Sequence, residues 1–148
     1  MIGWTEHIEL PDWGVKRLRA KVDTGARSSA LHVENIERTP AGWVHFEVVT
    51  RRKVRNRKTH VRARVVRESR VRSSNGASET RLFVKTRMRL GPVEREIEIS
   101  LVDRGEMIHR MLLGRSALSP FVIDVDRRMV HTPVRKKLKK KKSVQKQH

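Results

Sequence analysis

The residues with the clearest chemical potential lie between Lys21 and Leu31, where Asp23 is followed by Thr24, Gly25 and Ala26. A carboxylate that acts as general acid and base on a water molecule must be held in a tight, hydrogen-bonded turn. Gly25 allows a dihedral that a residue with a Cβ would resist, and the Thr24 hydroxyl can bond the backbone. The segment therefore predicts a catalytic carboxylate, although Asp-Thr-Gly is also an ordinary turn sequence.

A second motif, from Met111 to Leu118, places two large apolar residues before Gly114 and Arg115. Together the two motifs resemble those of the retropepsins, the half-size aspartic peptidases in which each chain supplies one Asp-Thr-Gly and a later apolar-apolar-Gly-Arg segment packs beneath it. From Trp4 to Val130 the chain is similar to the small bacterial and archaeal retropepsin-like proteins often labelled "ATP-dependent zinc protease". Some of those proteins accompany ligases that add glutamate tails to a ribosomal protein.

The resemblance implies an aspartic endopeptidase in which Asp23 pairs with its counterpart from a second chain, so that the two carboxylates activate a water. Thr24 would brace the two loops, and Gly25 would offer its backbone to substrate. Ala26 and Arg27 would contact substrate. The supporting residues beneath the loop would be Leu113, Gly114 and Arg115. Because 148 residues are too few for a two-lobed enzyme with both aspartates, we expect a homodimer that acts on a peptide or protein substrate.

Arg27 departs from the pattern of many viral retropepsins, which have an acid at this position. In those proteins the acid pairs with the arginine of the later motif and helps to fix the dimer. Arg27 and Arg115 would repel each other if they were neighbours, so that network does not carry over. Arg27 either recognises an acidic substrate side chain or pairs with Glu34 or Glu37 at the surface. The first alternative agrees with a substrate rich in glutamate.

The net charge of +19 is concentrated in two segments. Residues 51–72 hold eleven Lys/Arg and one acid, and residues 134–148 hold eight Lys/Arg and no acid. Lysine runs bind phosphate arrays by counterion release, which favours contact with RNA, the ribosome or an acidic protein over the alternative of a solvated extension. The candidate polyanion-binding residues are Arg62, Arg64, Lys139, Lys140, Lys141 and Lys142. The alternative function is a catalytically silent retropepsin-like module that binds such a partner through its basic hairpin and tail.

Short segments with strand periodicity and frequent turn signals predict an all-β fold, a small closed retropepsin-like barrel with one short helix after the Leu-Leu-Gly-Arg segment. Residues 1–131 would form this domain, and residues 132–148 would be a disordered lysine-rich tail. A last hairpin is predicted between Phe121–Val125 and Met129–His131.

The stretch from Val61 to Arg67 alternates apolar and basic residues and predicts a strand that returns from Thr80 to Lys85. In the resemblance this hairpin lies where retropepsins carry the flap that closes over substrate, so its arginines would line the cleft. The alternative is that its basic side is an ordinary solvent face. The tip supplies three substrate-binding candidates, Ser74, Asn75 and Gly76.

Other classes of site find no support in the sequence. Seven histidines are present, but no two have the spacing of metal ligands, and the chain has no cysteine and no phosphate-binding Gly-x-x-x-x-Gly-Lys-Ser/Thr motif. We therefore expect no metal and no cofactor. The first ten residues lack the apolar stretch of a signal peptide, and no apolar run approaches a membrane span. A soluble, cytoplasmic protein is the expectation.

Overall fold

The computed structural model of the chain describes residues 1–50, 58–72, 76–103 and 109–131. Within these ranges the elements are β1 (Ile2–Gly3), β2 (Thr5–Leu10), β3 (Val15–Val22), β4 (Ser29–Thr39), β5 (Trp43–Val49), β6 (Lys58–Arg72), β7 (Ser78–Leu90), β8 (Val93–Val102), β9 (Met111–Leu113), α1 (Arg115–Leu118) and β10 (Ile123–Asp124). Ser74, Asn75 and the lysines of the tail lie outside the described residues. None of the described helices has the length and apolar character needed to cross a membrane.

Seven strands form a closed barrel, in the order β2, β3, β9, β4, β5, β6 and β7, with β7 pairing back onto β2. β8 pairs with β7 and also runs parallel to β4 across the barrel. The predicted all-β barrel and the single short helix after the Gly-Arg segment are both confirmed. The alternation of the sequence explains why: on β3, Leu18 and Ala20 are buried, while Arg19 and Lys21 are exposed.

The barrel interior is a continuous apolar core. Phe46, Leu31, Met88 and Leu113 are among its largest buried side chains, and Trp13 meets the Phe46 ring edge-on at 5.3 Å between centroids. β9 is short but both of its terminal side chains are buried, which fixes the residues that follow it. The core therefore positions the Gly-Arg motif as well as the strands.

The predicted hairpin from residue 61 onward is present as β6 and β7, whose register ends at Arg72 opposite Ser78. Its geometry contains a β-bulge that the sequence pattern does not reveal. The pairing changes from Val65 opposite Val84 to Arg67 opposite Phe83. One extra residue moves the side chains that follow it to the opposite face of the strand. After the bulge, the odd-numbered side chains of β6 therefore lie on the outer face of the barrel, the face on which Phe83 also lies.

The predicted last hairpin is wrong. Ile123 and Asp124 form β10, which pairs in parallel with β1, and residues 129–131 form no strand. A buried carboxylate holds the latter segment instead: Glu6 accepts hydrogen bonds from the backbone N–H of Val130 at 2.8 Å and of His131 at 2.9 Å. Local alternation could not disclose this arrangement because both partners of the segment are distant in sequence.

Candidate active site

The Asp23 loop follows β3 directly and is fixed by backbone contacts with β9. Val22 lies in parallel register with Leu113, and the Asp23 N–H donates to the Leu113 carbonyl at 2.9 Å. The turn closes through a hydrogen bond from the Ala26 N–H to the Asp23 carbonyl at 3.2 Å. The carboxylate Oδ1 accepts the Gly25 N–H at 3.1 Å. A half-buried carboxylate is thus held at a defined place in a tight turn.

The role of Gly25 differs from the one that the sequence suggests. It does not adopt a positive φ, so the expectation that this turn needs a dihedral special to glycine is wrong. A Cβ at this position would meet only the Asp23 Oδ1 atom, at 3.3 Å. Glycine therefore keeps the space beside the carboxylate open rather than enabling the turn itself.

Gly114 allows the segment after β9 to lie against the chain that leaves the Asp23 loop. A Cβ at Gly114 would lie 2.4 Å from the carbonyl oxygen of Ser28 and 2.5 Å from its carbon, distances that no packed side chain tolerates. The Gly114 N–H donates to the hydroxyl of Ser29 at 3.1 Å. The close approach expected at this glycine is therefore present, and the backbone of Arg27 and Ser28 leaves no room for a side chain.

Arg115 joins α1 to the carbonyls of the Asp23 loop. Its N–H donates to Ala26 at 2.8 Å, and its Nη1 donates to the Thr24 carbonyl at 2.9 Å. The next residue, Ser116, donates its N–H to the Arg27 carbonyl at 3.0 Å. Three hydrogen bonds from one helical turn thus fix the loop, and the guanidinium uses a backbone carbonyl where a viral retropepsin uses a carboxylate.

Arg27 is exposed and faces the cavity beside Asp23. Within the part of the chain that the structure describes, no carboxylate pairs with it: Glu34 binds Lys58 at 2.8 Å, and Glu37 makes no ion pair with Arg27. The lysine lowers the pKa of the Glu34 carboxyl. Arg27 therefore keeps its guanidinium available for another partner.

An open cavity of about 860 Å³ lies between the Asp23 loop and the β6–β7 hairpin. The residues that line it are Asp23, Ala26, Arg27, Ser28, Ala30, Arg67, Ser69, Val71, Arg81, Phe83, Glu98, Ser100, Leu112 and Ser116. The hairpin thus contributes side chains from both of its strands. Its position over the loop fits a flap, which stays a prediction.

The sequence predicted that arginines of the hairpin would line the cleft, and Arg67 and Arg81 do line this cavity, although neither was singled out as a site residue. Arg67 stacks over the Phe83 ring at 3.6 Å and pairs with Glu98 at 2.5 Å, and Arg81 pairs with Glu79 at 3.1 Å. The β-bulge turns Arg67 to this side, and no alternation in the sequence could have shown it. The arginines that were predicted to form one basic face of the hairpin therefore lie on two different surfaces.

Arg62 and Arg64 lie on the other surface. Both guanidinium groups lie over the Trp43 ring, at 4.0 and 4.7 Å from its centroid, and neither residue lines the cavity. Gly76 is exposed near the hairpin tip with φ 86° and is also outside the cavity lining, while its predicted neighbours Ser74 and Asn75 fall outside the described residues. In the described ranges, no three His, Asp or Glu side chains converge as metal ligands would.

Comparisons with known proteins agree with this geometry. Residues 1–137 match the RimB-like family, described as "Retropepsin-like aspartic endopeptidase RimB". The chain is 38% identical over 122 residues to a Shewanella pealeana protein named "Probable alpha-L-glutamate ligase", and 36% identical over 121 residues to a Desulfotalea psychrophila protein of the same name. Each match covers 80% of this chain but only 27% and 26% of those proteins, so the chain spans about a quarter of their length.

A crystal structure of a Legionella pneumophila protein of unknown function has the same fold, with a TM-score of 0.72 and 25% sequence identity. The similarity covers 88% of this chain and 97% of that one, so most of the chain shares this architecture. The chain belongs to the RimB-like family of retropepsin-like aspartic endopeptidases.

Proposed function

We propose that this protein is an aspartic endopeptidase whose working unit is a homodimer, with Asp23 of each chain in one shared site. The observation that carries the proposal is the Asp23 carboxylate, which is fixed by the Gly25 N–H and by the segment from Leu113 to Arg115 at the edge of a peptide-sized cavity. Among the described residues, one chain supplies one such carboxylate, since the other cavity acid, Glu98, is bound to Arg67.

The chemistry follows from the electrostatics of paired carboxylates. Two carboxylates about 3 Å apart cannot both ionise, so Asp23 and its counterpart share one proton. The ionised member takes a proton from a water, whose oxygen attacks the scissile carbonyl, while the protonated member donates a hydrogen bond to the carbonyl oxygen. The tetrahedral intermediate then collapses: the protonated member of the dyad donates its proton to the leaving amine nitrogen, the C–N bond breaks, and the dyad again holds one shared proton. No covalent bond to the enzyme forms.

We propose acidic or glutamate-rich protein segments as substrates. Arg27 lines the cavity without a carboxylate partner among the described residues, and a free guanidinium beside the reacting carboxylate favours an acidic side chain. The relatives named as α-L-glutamate ligases support the same class, because the name describes an enzyme that joins glutamate to another molecule. A peptidase that cleaves acidic segments would act on the kind of chain that such a ligase extends.

Asp23→Asn is the direct test. The purified variant and the parent protein would be incubated with acidic and mixed peptides from about pH 3 to about pH 8, the range in which shared carboxylate dyads titrate. We expect cleavage to fall by at least about 100-fold with an unchanged fold, and the parent to show a bell-shaped pH profile. Asp12→Asn is the matched control, since Asp12 is exposed in a remote turn. Equal cleavage by Asp23→Asn and the parent would refute the proposal.

The alternative function, a catalytically silent module that binds RNA, the ribosome or an acidic protein, is favoured by one observation. Arg62 and Arg64 stack on Trp43, and among the described residues neither pairs with a carboxylate. Deletion of residues 133–148, which include Lys139, Lys140, Lys141 and Lys142, combined with Arg62→Gln and Arg64→Gln, should weaken RNA binding and flatten its salt dependence. Unchanged binding would exclude these residues as the polyanion site.

A further inference from the structure

The outer face of β3 carries a row of cations beside the cavity. Arg17, Arg19 and Lys21 are exposed, while Leu18 and Ala20 between them are buried. A strand rises about 3.3 Å per residue and alternates its side chains, so the three cations project on one side at intervals of about 6.6 Å. The row is therefore as regular as the strand itself.

Among the residues that the structure describes, the charge of this row has no carboxylate partner. In the described ranges, no carboxylate pairs with Arg17, Arg19 or Lys21, whereas Arg67 and Arg81 in the cavity each pair with a glutamate. These cations keep their charge toward solvent, where a partner of opposite charge can approach.

His109 lies near this row of cations. Its pKa is lowered, first by burial and then by the charges of Arg19 and Lys21. The His109 ring also meets the Trp4 ring edge-on, at 6.4 Å between centroids. The positive charges of Arg19 and Lys21 therefore extend to the side of β3 where His109 lies.

The row is continuous with the candidate active site. Lys21 is in register with Leu112 of β9, and Leu112 is in register with Ala30 of β4. Residues that are paired in register lie on the same face of a sheet. Leu112 and Ala30 both line the cavity that contains Asp23. Lys21 lies beside Leu112 on the neighbouring strand, and Arg19 and Arg17 lie farther back along β3.

We propose that this outer face of β3 is a second substrate-binding surface, on which Arg17, Arg19 and Lys21 bind carboxylates of an extended acidic peptide that continues into the cavity. The inference deepens the proposed function and rests on it. An extended peptide presents alternate side chains on one side at the same interval of about 6.6 Å, so carboxylates at every second position meet successive cations. The surface favours long acidic segments over short ones, because a short peptide fills the cavity without reaching Arg17.

The test uses the Asp23→Asn protein, so that binding is measured without cleavage. A labelled peptide of ten glutamates and a matched peptide of ten glutamines are titrated by fluorescence anisotropy against this protein and against the same protein with Arg17→Gln and Arg19→Gln. We expect the double substitution to raise the Kd for the glutamate peptide about three- to thirtyfold, with a weaker dependence on salt, and to leave the glutamine peptide unchanged.

Two control variants separate recognition from net charge and from structure. Arg87→Gln with Arg89→Gln removes the same charge from arginines that pair with Glu94, and we expect a much smaller change in Kd. Arg17→Lys with Arg19→Lys keeps the charge and should retain most of the affinity. A structural effect of the β3 substitutions would not be rescued by lysine.

Three results would overturn the inference. The first is equal affinity of the β3 double variant and its background for the glutamate peptide, and the second is no binding of that peptide at all. The third is a loss of affinity for single-stranded RNA with none for the peptide, which would assign the surface to nucleic acid. Failure here leaves the Asp23 cleavage test intact, because that test uses peptide hydrolysis by the parent protein.

Discussion

Glu6 on β2 binds the backbone of β1 and of residues 130–131, and its removal should destabilise the protein strongly. The side chain is fully buried and accepts three backbone N–H groups, from Gly3 at 2.9 Å, Val130 at 2.8 Å and His131 at 2.9 Å. Hydrogen bonds to a charged group contribute about 1.5–3 kcal/mol each, but water can reach the two part-buried donors. We therefore expect Glu6→Ala to lower the free energy of unfolding by about 3–5 kcal/mol.

Urea denaturation of the purified variants measures this free energy. Glu6→Gln should lower the free energy of unfolding by roughly half as much as Glu6→Ala. Its one carbonyl oxygen still accepts N–H groups, but its amide nitrogen faces an N–H donor and cannot accept from it. Glu9→Ala is the matched control: Glu9 is the neighbouring acid on β2, half exposed and 3.9 Å from Arg89, and its loss should cost no more than about 1 kcal/mol. A decrease in the free energy of unfolding below about 1 kcal/mol for Glu6→Ala would refute the conclusion that the Glu6 carboxylate holds the terminal segment in place.

Three further changes test the loop and the surface beside it. Gly114→Ala should lower stability by about 1–3 kcal/mol and abolish cleavage, since its Cβ would collide with the Ser28 carbonyl; urea denaturation and peptide hydrolysis measure both. Arg115→Gln should lower the free energy of unfolding by only about 1 kcal/mol in the same denaturation. Its effect on the rate of cleavage should be larger than its effect on stability, because the Thr24 carbonyl loses its donor. His109 should titrate by NMR below its ordinary pKa; since the unfolded chain then binds the proton first, stability should fall as the pH drops below about 6.5, and His109→Gln should remove that dependence.

The strands of the barrel were predictable because burial of one face of a strand produces an alternation of apolar and polar residues in the sequence. The alternation from Val61 to Arg67 predicted a strand that the structure contains within β6, and the predicted return from Thr80 to Lys85 lies within β7. The resemblance to the retropepsins, rather than any local pattern, placed the segment with Gly114 beneath the Asp23 loop, and the structure brings them together. Prediction from the pattern alone succeeded where the constraint lies within a few residues.

The errors have a common physical cause, which is that the constraint came from a distant segment. The bulge in β6 is set by pairing with β7, and it moved Arg67 into the cavity while Arg62 stayed on the Trp43 surface. The terminal segment is set by Glu6 rather than by a hairpin partner. Neither effect changes the pattern of apolar residues along the chain, so neither could be derived from that pattern.

The contacts of Arg115 and Arg27 separate two tasks that one ion pair combines in the viral retropepsins. Arg115 fixes the loop through the Thr24 carbonyl within its own chain, so the position of Asp23 does not depend on an acid at residue 27. The side chain of Arg27 is therefore not needed to fix the loop, and it lines the cavity. In the proposed dimer, loop order would precede assembly, and the residue after Asp-Thr-Gly-Ala would select substrate rather than hold the subunits together. The arginine that first argued against the viral dimer network is, in this arrangement, the reason an acidic substrate can be recognised beside the reacting carboxylates.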